Sequence, residues 1–181
     1  VQTCALPIYY NDKRINAMSN QEHIAKIQEI IKDVKFAMMS TTNKKGDIHA
    51  WPMTTNKADV AAKEIWFIGD KTSDVVKDIQ NDARIGLTYA TQDEKNYVSI
   101  SGNAELSTDK DKLDELWSPV YNAFFANGKE DENVQLIKVV PHGAECWISG
   151  SSVVNMFKMA TAAVQEGKTA EDMGETFSVT L

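Results

Sequence analysis

The sequence holds two cysteines, Cys4 and Cys146, and three histidines, His23, His49 and His142, and no pair among them has metal-ligand spacing. That scarcity rules out a disulfide framework and gives no ground for a zinc site. There is no run of about 18 apolar residues, the length a membrane-spanning helix needs. The amino end also lacks the charged-then-apolar pattern of a signal peptide, so cytoplasm is the expected location. Gly-x-Ser-x-Gly, the P-loop and Gly-x-Gly-x-x-Gly are all missing, which removes the nucleophile elbow and the common nucleotide-phosphate loops. Positive charge is short as well: 19 Lys and Arg stand against 26 Asp and Glu, for a net charge of −7. Such a chain has no electrostatic footprint for nucleic acid or an anionic membrane. The expected partner is a small molecule or another protein.

What is present suits one globular domain. The chain has 181 residues, 43% hydrophobic and 25% charged, enough to bury a real core. Residues 1–17 show neither helical nor strand periodicity, and "VQTCALPI" resembles translated sequencing-adapter sequence. They are expected to be a non-native or disordered tail, with the domain running from Met18 to residue 165 and a C-terminal tail over 166–181. "SNQE" at 19–22 has capping-box spacing, Ser19 to Glu22, and Ile24, Ile27, Ile31 and Val34 then mark one apolar stripe of a helix over 20–33.

Strand patterns follow at 36–42, 48–55, 64–69, 84–90 and 97–106, the last alternating Val98, Ile100, Gly102, Ala104 and Leu106 against polar neighbours. "NKKGD" supplies turn chemistry between the first two, and Pro52 marks an edge or a bulge because it removes a ladder donor. A short helix opens at Thr72 or Ser73, and residues 107–125 read as helix interrupted at Pro119. "VQLIKVV" and "AECWIS" predict two further strands joined at "PHG", and residues 153–165 a final helix. The pattern is mainly β (α+β): an antiparallel barrel or sandwich with flanking helices.

Two stretches carry candidate chemistry. In "HAWPMTT" a strand sets His49, Trp51 and Met53 on one face, which suits either core or subunit interface, or the wall of a ligand pocket. In "GDKTSDVVKD" a strand end meets a helix start with Lys71, Thr72 and Ser73. Free amides, hydroxyls and a lysine there suit a phosphate, while Asp70 and Asp74 repel one, and a plain capped helix has the same pattern. Asp109, Asp111, Asp114 and Glu115 have the spacing of a solvated helix face. Cys146 beside Trp147 reads as a buried thiol.

The order "AMMSTT", "HAWPMTT", "EIWFIGDKTSDVVKDI", "YVSISGNAEL", "LDELWSPVYNAFFANGKEDEN" and "ECWISGSSVVNMF" resembles, from about residue 20 to 165, the pyridoxamine 5'-phosphate oxidase-like flavoproteins. Within them the bacterial general stress protein branch is the nearest in pattern. The resemblance implies a homodimer of split β-barrels holding FMN in a groove between subunits. It assigns Trp51, Pro52, Met53 and Thr54, then Phe67, Ile68 and Gly69, to the flavin, and Ser73 to its phosphate, with Lys71 and Lys77 near enough in sequence to substitute for the missing lysine. Trp51 stands where the family carries arginine, Gly69 where it carries threonine, and Val75 where it carries lysine.

A hydrogen bond to a charged group contributes roughly 1.5 to 3 kcal/mol. Two absent cations therefore weaken FMN binding by about 3 to 6 kcal/mol, roughly two to four orders of magnitude. Stacking of a ring on Trp51 returns about 0.5 to 1.5 kcal/mol. The expected function is an FMN-binding flavoprotein of the general stress type, with either a redox role as an FMN-dependent oxidoreductase of unspecified substrate or simple flavin binding. The alternative is a split-barrel dimer that has lost FMN and takes another small aromatic ligand, or serves as a structural or regulatory dimer. Pyridoxamine phosphate oxidation itself is not expected, because no basic cluster for a substrate phosphate is recognisable. Trp117 and Trp147 match tryptophans of the family pattern and are expected in the core.

Overall fold

The structure is a computed structural model that describes residues 19–92, 96–149 and 174–181. The expectations for residues 1–17 and for a helix over 153–165 lie outside the described residues. The chain opens with α1 (Asn20–Val34), followed by β1 (Phe36–Thr42), β2 (Ile48–Asp59) and β3 (Glu64–Asp70). Next come α2 (Asp74–Asn81), β4 (Arg84–Ala90), β5 (Tyr97–Ser107) and α3 (Lys110–Leu116). Short 3-10 turns at Pro119–Ala123 and Gly128–Glu130 lead into β6 (Val134–Ser149), and β7 is Gly174–Thr180.

The strands run in the order β3-β2-β1-β4-β5-β6-β7, and a further β3–β6 pairing closes the first six into an antiparallel barrel. Of the antiparallel barrel or sandwich that the strand patterns allowed, this is the barrel, and it is the mainly β split barrel that the family resemblance implied. The capping box at Ser19 and Glu22 forms, and α1 sinks Ile27, Ile30 and Ile31 into the core. Each strand sends alternate side chains inward: Ala37, Met39 and Thr41 from β1, Ile85, Leu87 and Tyr89 from β4, Val98, Ile100 and Ala104 from β5.

β3 behaves differently, because both of its faces are covered. Ile65 and Phe67 enter the barrel, while Trp66 and Ile68 join Leu116, Phe125 and Leu136 in a second cluster outside it. That explains the unbroken apolar run "IWFI", which an amphipathic strand does not need. α3 and the turn at Pro119 lie over this second cluster, with Asp109 capping α3 through Lys112 N–H at 2.9 Å.

Two expectations are corrected. "PHG" is not a turn between strands: β6 runs through it, and the register against β5 slips at Ser101/Gly102, which places a bulge at His142. The bulge accommodates Pro141 and bends the strand. Gly102 makes room for it, since a Cβ there would lie 2.6 Å from the Val140 carbonyl oxygen. The bend lets one half of β6 pair with β3 and the other half with β7. Nor is 166–181 a tail throughout, because Gly174–Thr180 adds β7 to the sheet and buries Phe177 and Val179.

Pro52 lies on an edge, as expected: β3 pairs with β2 only from Thr55 onward, so among the described residues Trp51–Thr54 has β1 on one side alone. A bulge occupies Asn56, between Thr55 and Lys57. Its side-chain oxygen accepts the Ile68 N–H at 3.1 Å and its amide donates to the Tyr121 hydroxyl at 2.7 Å. Among the described residues, no helix is long and apolar enough to cross a membrane.

Candidate functional site

The open stretch of β2 is one wall of the candidate site. Trp51 and Met53 are half-buried and pack against the main core, whereas Pro52 and Thr54 face outward and are exposed. The end of β3 completes the corner: a Cβ at Gly69 would lie 3.7 Å from Met53 Cε, so the thioether lies alongside a bare backbone. Phe67 and Ile68 are different in kind. Their side chains are buried, one in each apolar cluster, so only main chain is left on that side.

Behind Trp51 runs a polar relay that ties β2, β1 and α2 together. The indole N–H donates to Thr41 Oγ1 at 2.8 Å, and the Thr41 hydroxyl donates to Asp78 Oδ2 at 2.8 Å. His49 Nδ1 lies 3.8 Å from the same carboxylate oxygen, and its ring meets Trp51 edge-on at 5.6 Å. Thr41 is 1% and Asp78 7% exposed, so the carboxylate depends on protein donors in place of water. Trp51 is thereby held in one orientation, with its N–H directed inward.

The start of α2 forms the remaining part. Asp70 Oδ1 accepts both the amide and the hydroxyl of Thr72, each at 2.6 Å. Ser73 is the N-cap, yet its hydroxyl donates back to the Asp70 carbonyl at 2.5 Å and does not cap the helix. Lys77 Nζ is 2.9 Å from Asp74 Oδ1. The Thr72 hydroxyl and amide hold the Asp70 carboxyl below the usual carboxylate range, and Lys77 does the same for Asp74. Lys71 is exposed, its own amide donating to the Asn133 carbonyl at 2.7 Å.

The structure thus sets Trp51 and Met53 on one face of β2 with Met53 beside Gly69, keeps the side chains of Phe67 and Ile68 away, and pairs Lys77 with Asp74 and Ser73 with Asp70. Val75, at the position of the family's lysine, is buried in the first turn of α2. Trp117 is half-buried in the outer cluster, 5.4 Å from Tyr121 and 6.0 Å from Phe125, and Trp147 is half-buried on β6 opposite Tyr97. Thr41 and Asp78 were missed in the sequence. Asp78 carried a signal nonetheless, since it falls on the stripe of α2 shared by Val75 and Ile79.

Six antiparallel strands closed by the β3–β6 pairing, with an open aromatic strand edge beside a helix start, define the split-barrel class. Residues 22–171 match the family model described as pyridoxamine 5'-phosphate oxidase like, and the chain belongs to that family. A crystal structure of a general stress protein 26 from Jannaschia sp. CCS1 is 30% identical, covers 91% of this chain and 100% of its own, and superposes with a TM-score of 0.68. A structure from Xanthomonas citri, described as a general stress FMN/FAD binding protein, is 26% identical over 73% of this chain and 92% of its own, with a TM-score of 0.64. Protein bli-3 of Neurospora crassa is 26% identical over 145 residues, 75% of this chain and 69% of that protein.

Proposed function

We propose that this chain is a flavin-binding protein of the general stress type, acting in the cytoplasm as a homodimer with the flavin in a groove between its subunits. The observation that carries the reading is the open edge of β2. There Trp51 and Met53 are uncharged and partly accessible, and Met53 lies beside Gly69. A planar ring finds stacking and thioether contacts on such a wall. The description of the Xanthomonas citri relative as FMN/FAD binding supports the same ligand class. FMN is the form that the family resemblance implies. The ring part of FMN suits this wall, whereas the start of α2, with its hydroxyls and Lys77 already paired, does not suit the phosphate.

The homodimer is supported by the outer face of β1 and β2. Phe36 is 63%, Met38 43% and Ile48 76% exposed, and the register sets Met38 beside Pro52 and Ile48 beside Thr42. A contiguous apolar strip of this kind calls for a covering surface, which a second copy of the chain would supply. When bound, the flavin supplies the redox chemistry, and this chain binds the ring, orients it and excludes water.

A second reading, in which Trp51 itself fills the groove and the dimer binds another small aromatic ligand or none, is favoured by the tethering of its indole N–H to Thr41. Equilibrium dialysis against FMN and riboflavin, with molar mass by light scattering, tests both readings. Saturable flavin uptake by a dimer supports the first. A dimer that takes up no flavin supports the second, and a monomer without uptake removes the first reading together with its shared groove.

A further inference from the structure

We propose that the site discriminates against the terminal phosphate and takes a riboflavin-type ligand in preference to FMN; the inference rests on the flavin reading above. The place a phosphate would need is already filled by the chain's own anion. Asp70 Oδ1 receives the Thr72 amide and the Thr72 hydroxyl, each at 2.6 Å, the kind of donor pair a phosphate oxygen recruits at a helix start. The Ser73 hydroxyl points to the Asp70 carbonyl at 2.5 Å, and the Lys77 ammonium lies on Asp74 at 2.9 Å. An incoming phosphate would have to break these contacts before forming its own.

The charge around the turn works in the same direction. Asp70, Asp74 and Asp78 lie within nine residues of Lys71 and Lys77, so the segment is negative before any ligand arrives. Lys77 is committed to Asp74, which leaves Lys71 as the exposed cation of the turn. A phosphate monoester carries about −1.5 to −2 at pH 7. One like unit charge at about 4 Å in bulk water weakens binding roughly five-fold. Trp51 adds no compensating charge, and its N–H is aimed at Thr41 and, through it, at the buried Asp78 carboxylate. The ring half of the site is neutral, formed by an indole, a thioether and a glycine backbone. A neutral isoalloxazine with an uncharged side chain meets no repulsion there.

The test is a pair of titrations of the full chain, with riboflavin and with FMN, at one ionic strength and read by flavin fluorescence. They are repeated on Asp70→Asn, which keeps an acceptor for Thr72 while removing the charge. A riboflavin Kd below that for FMN in the wild-type chain, with FMN binding that tightens at least three-fold in Asp70→Asn and riboflavin unchanged, supports the proposal. Equal or tighter binding of FMN by the wild-type chain overturns the proposal and leaves the flavin reading standing. FMN affinity that stays the same in a folded Asp70→Asn, checked by its thermal melt, also overturns it. Binding of neither flavin removes the proposal and the flavin reading together. If Asp70→Asn does not fold, the wild-type ratio alone decides.

Discussion

Replacing Thr41 by valine tests the relay behind Trp51 at almost constant volume. The hydroxyl accepts from the indole N–H and donates to Asp78, both at 2.8 Å, in a site where Thr41 is 1% exposed. A hydrogen bond to a charged group contributes about 1.5 to 3 kcal/mol, and an unsatisfied buried partner adds its desolvation penalty. The half-buried indole recovers some of its loss from water, so Thr41→Val is expected to cost about 3 kcal/mol in all. For a chain of this size that lowers Tm by roughly 6 to 12 °C. The companion variant Thr41→Val with Asp78→Leu removes donor and carboxylate together, and replacing both partners with apolar groups is close to neutral. It should regain about 2 kcal/mol of the loss. Urea unfolding measures both, with a shift in midpoint at constant slope as the expected signature. A cost below about 1 kcal/mol for Thr41→Val, or a double variant no more stable than Thr41→Val alone, would refute the reasoning.

Gly102→Ala should destabilise strongly, by about 2 kcal/mol or more, because the new Cβ would press on the Val140 carbonyl oxygen at the bend of β6; thermal melting measures it. Acid should weaken the outer face of the barrel. Lys112 and Lys57 lower the Glu115 carboxyl from 4.5 to about 2, so their contribution is complete above pH 4.5 and is lost as pH falls toward 2. A melt series across that window, repeated in high salt, should show the decline and a smaller amplitude of it with salt. Cys146 is fully buried and burial pushes its thiol up to about 11. Its peptide should therefore stay unlabelled by iodoacetamide at neutral pH in the native protein and react after unfolding, as read by mass spectrometry.

Where one short pattern decided one local structure, the sequence was readable. Ser19 and Glu22 formed their capping box because both partners lie within a single turn. β5 kept its period of two because one face meets the core and the other does not. Pro52 fell on an edge because no ladder donor is demanded there. "PHG" misled because a bulge opposite Gly102 absorbs the proline, and that compensation comes from a residue about forty positions away in the chain. β7 was illegible for a related reason: Gly174–Thr180 becomes a strand through its pairing with β6, and its own pattern is short and polar.

The candidate site divides along the same line. Trp51 and Met53 announced themselves as a row on one strand face. Thr41 and Asp78 did not, because their role depends on a hydroxyl and a carboxylate brought together across 37 positions. The start of α2 looked open in the sequence, since spacing shows which donors exist but not which acceptors take them. Asp70 takes two of them.

The most direct measurement of the central claim is a riboflavin titration of the intact chain by flavin fluorescence, run beside Trp51→Leu with matched thermal melts. Saturable binding by the wild-type chain, weakened about two- to twelve-fold in a folded Trp51→Leu, is the expected result, since loss of a stacked indole amounts to about 0.5 to 1.5 kcal/mol. No saturable binding, or equal affinity in the two proteins, would contradict the assignment of the β2 edge as the wall of a flavin site.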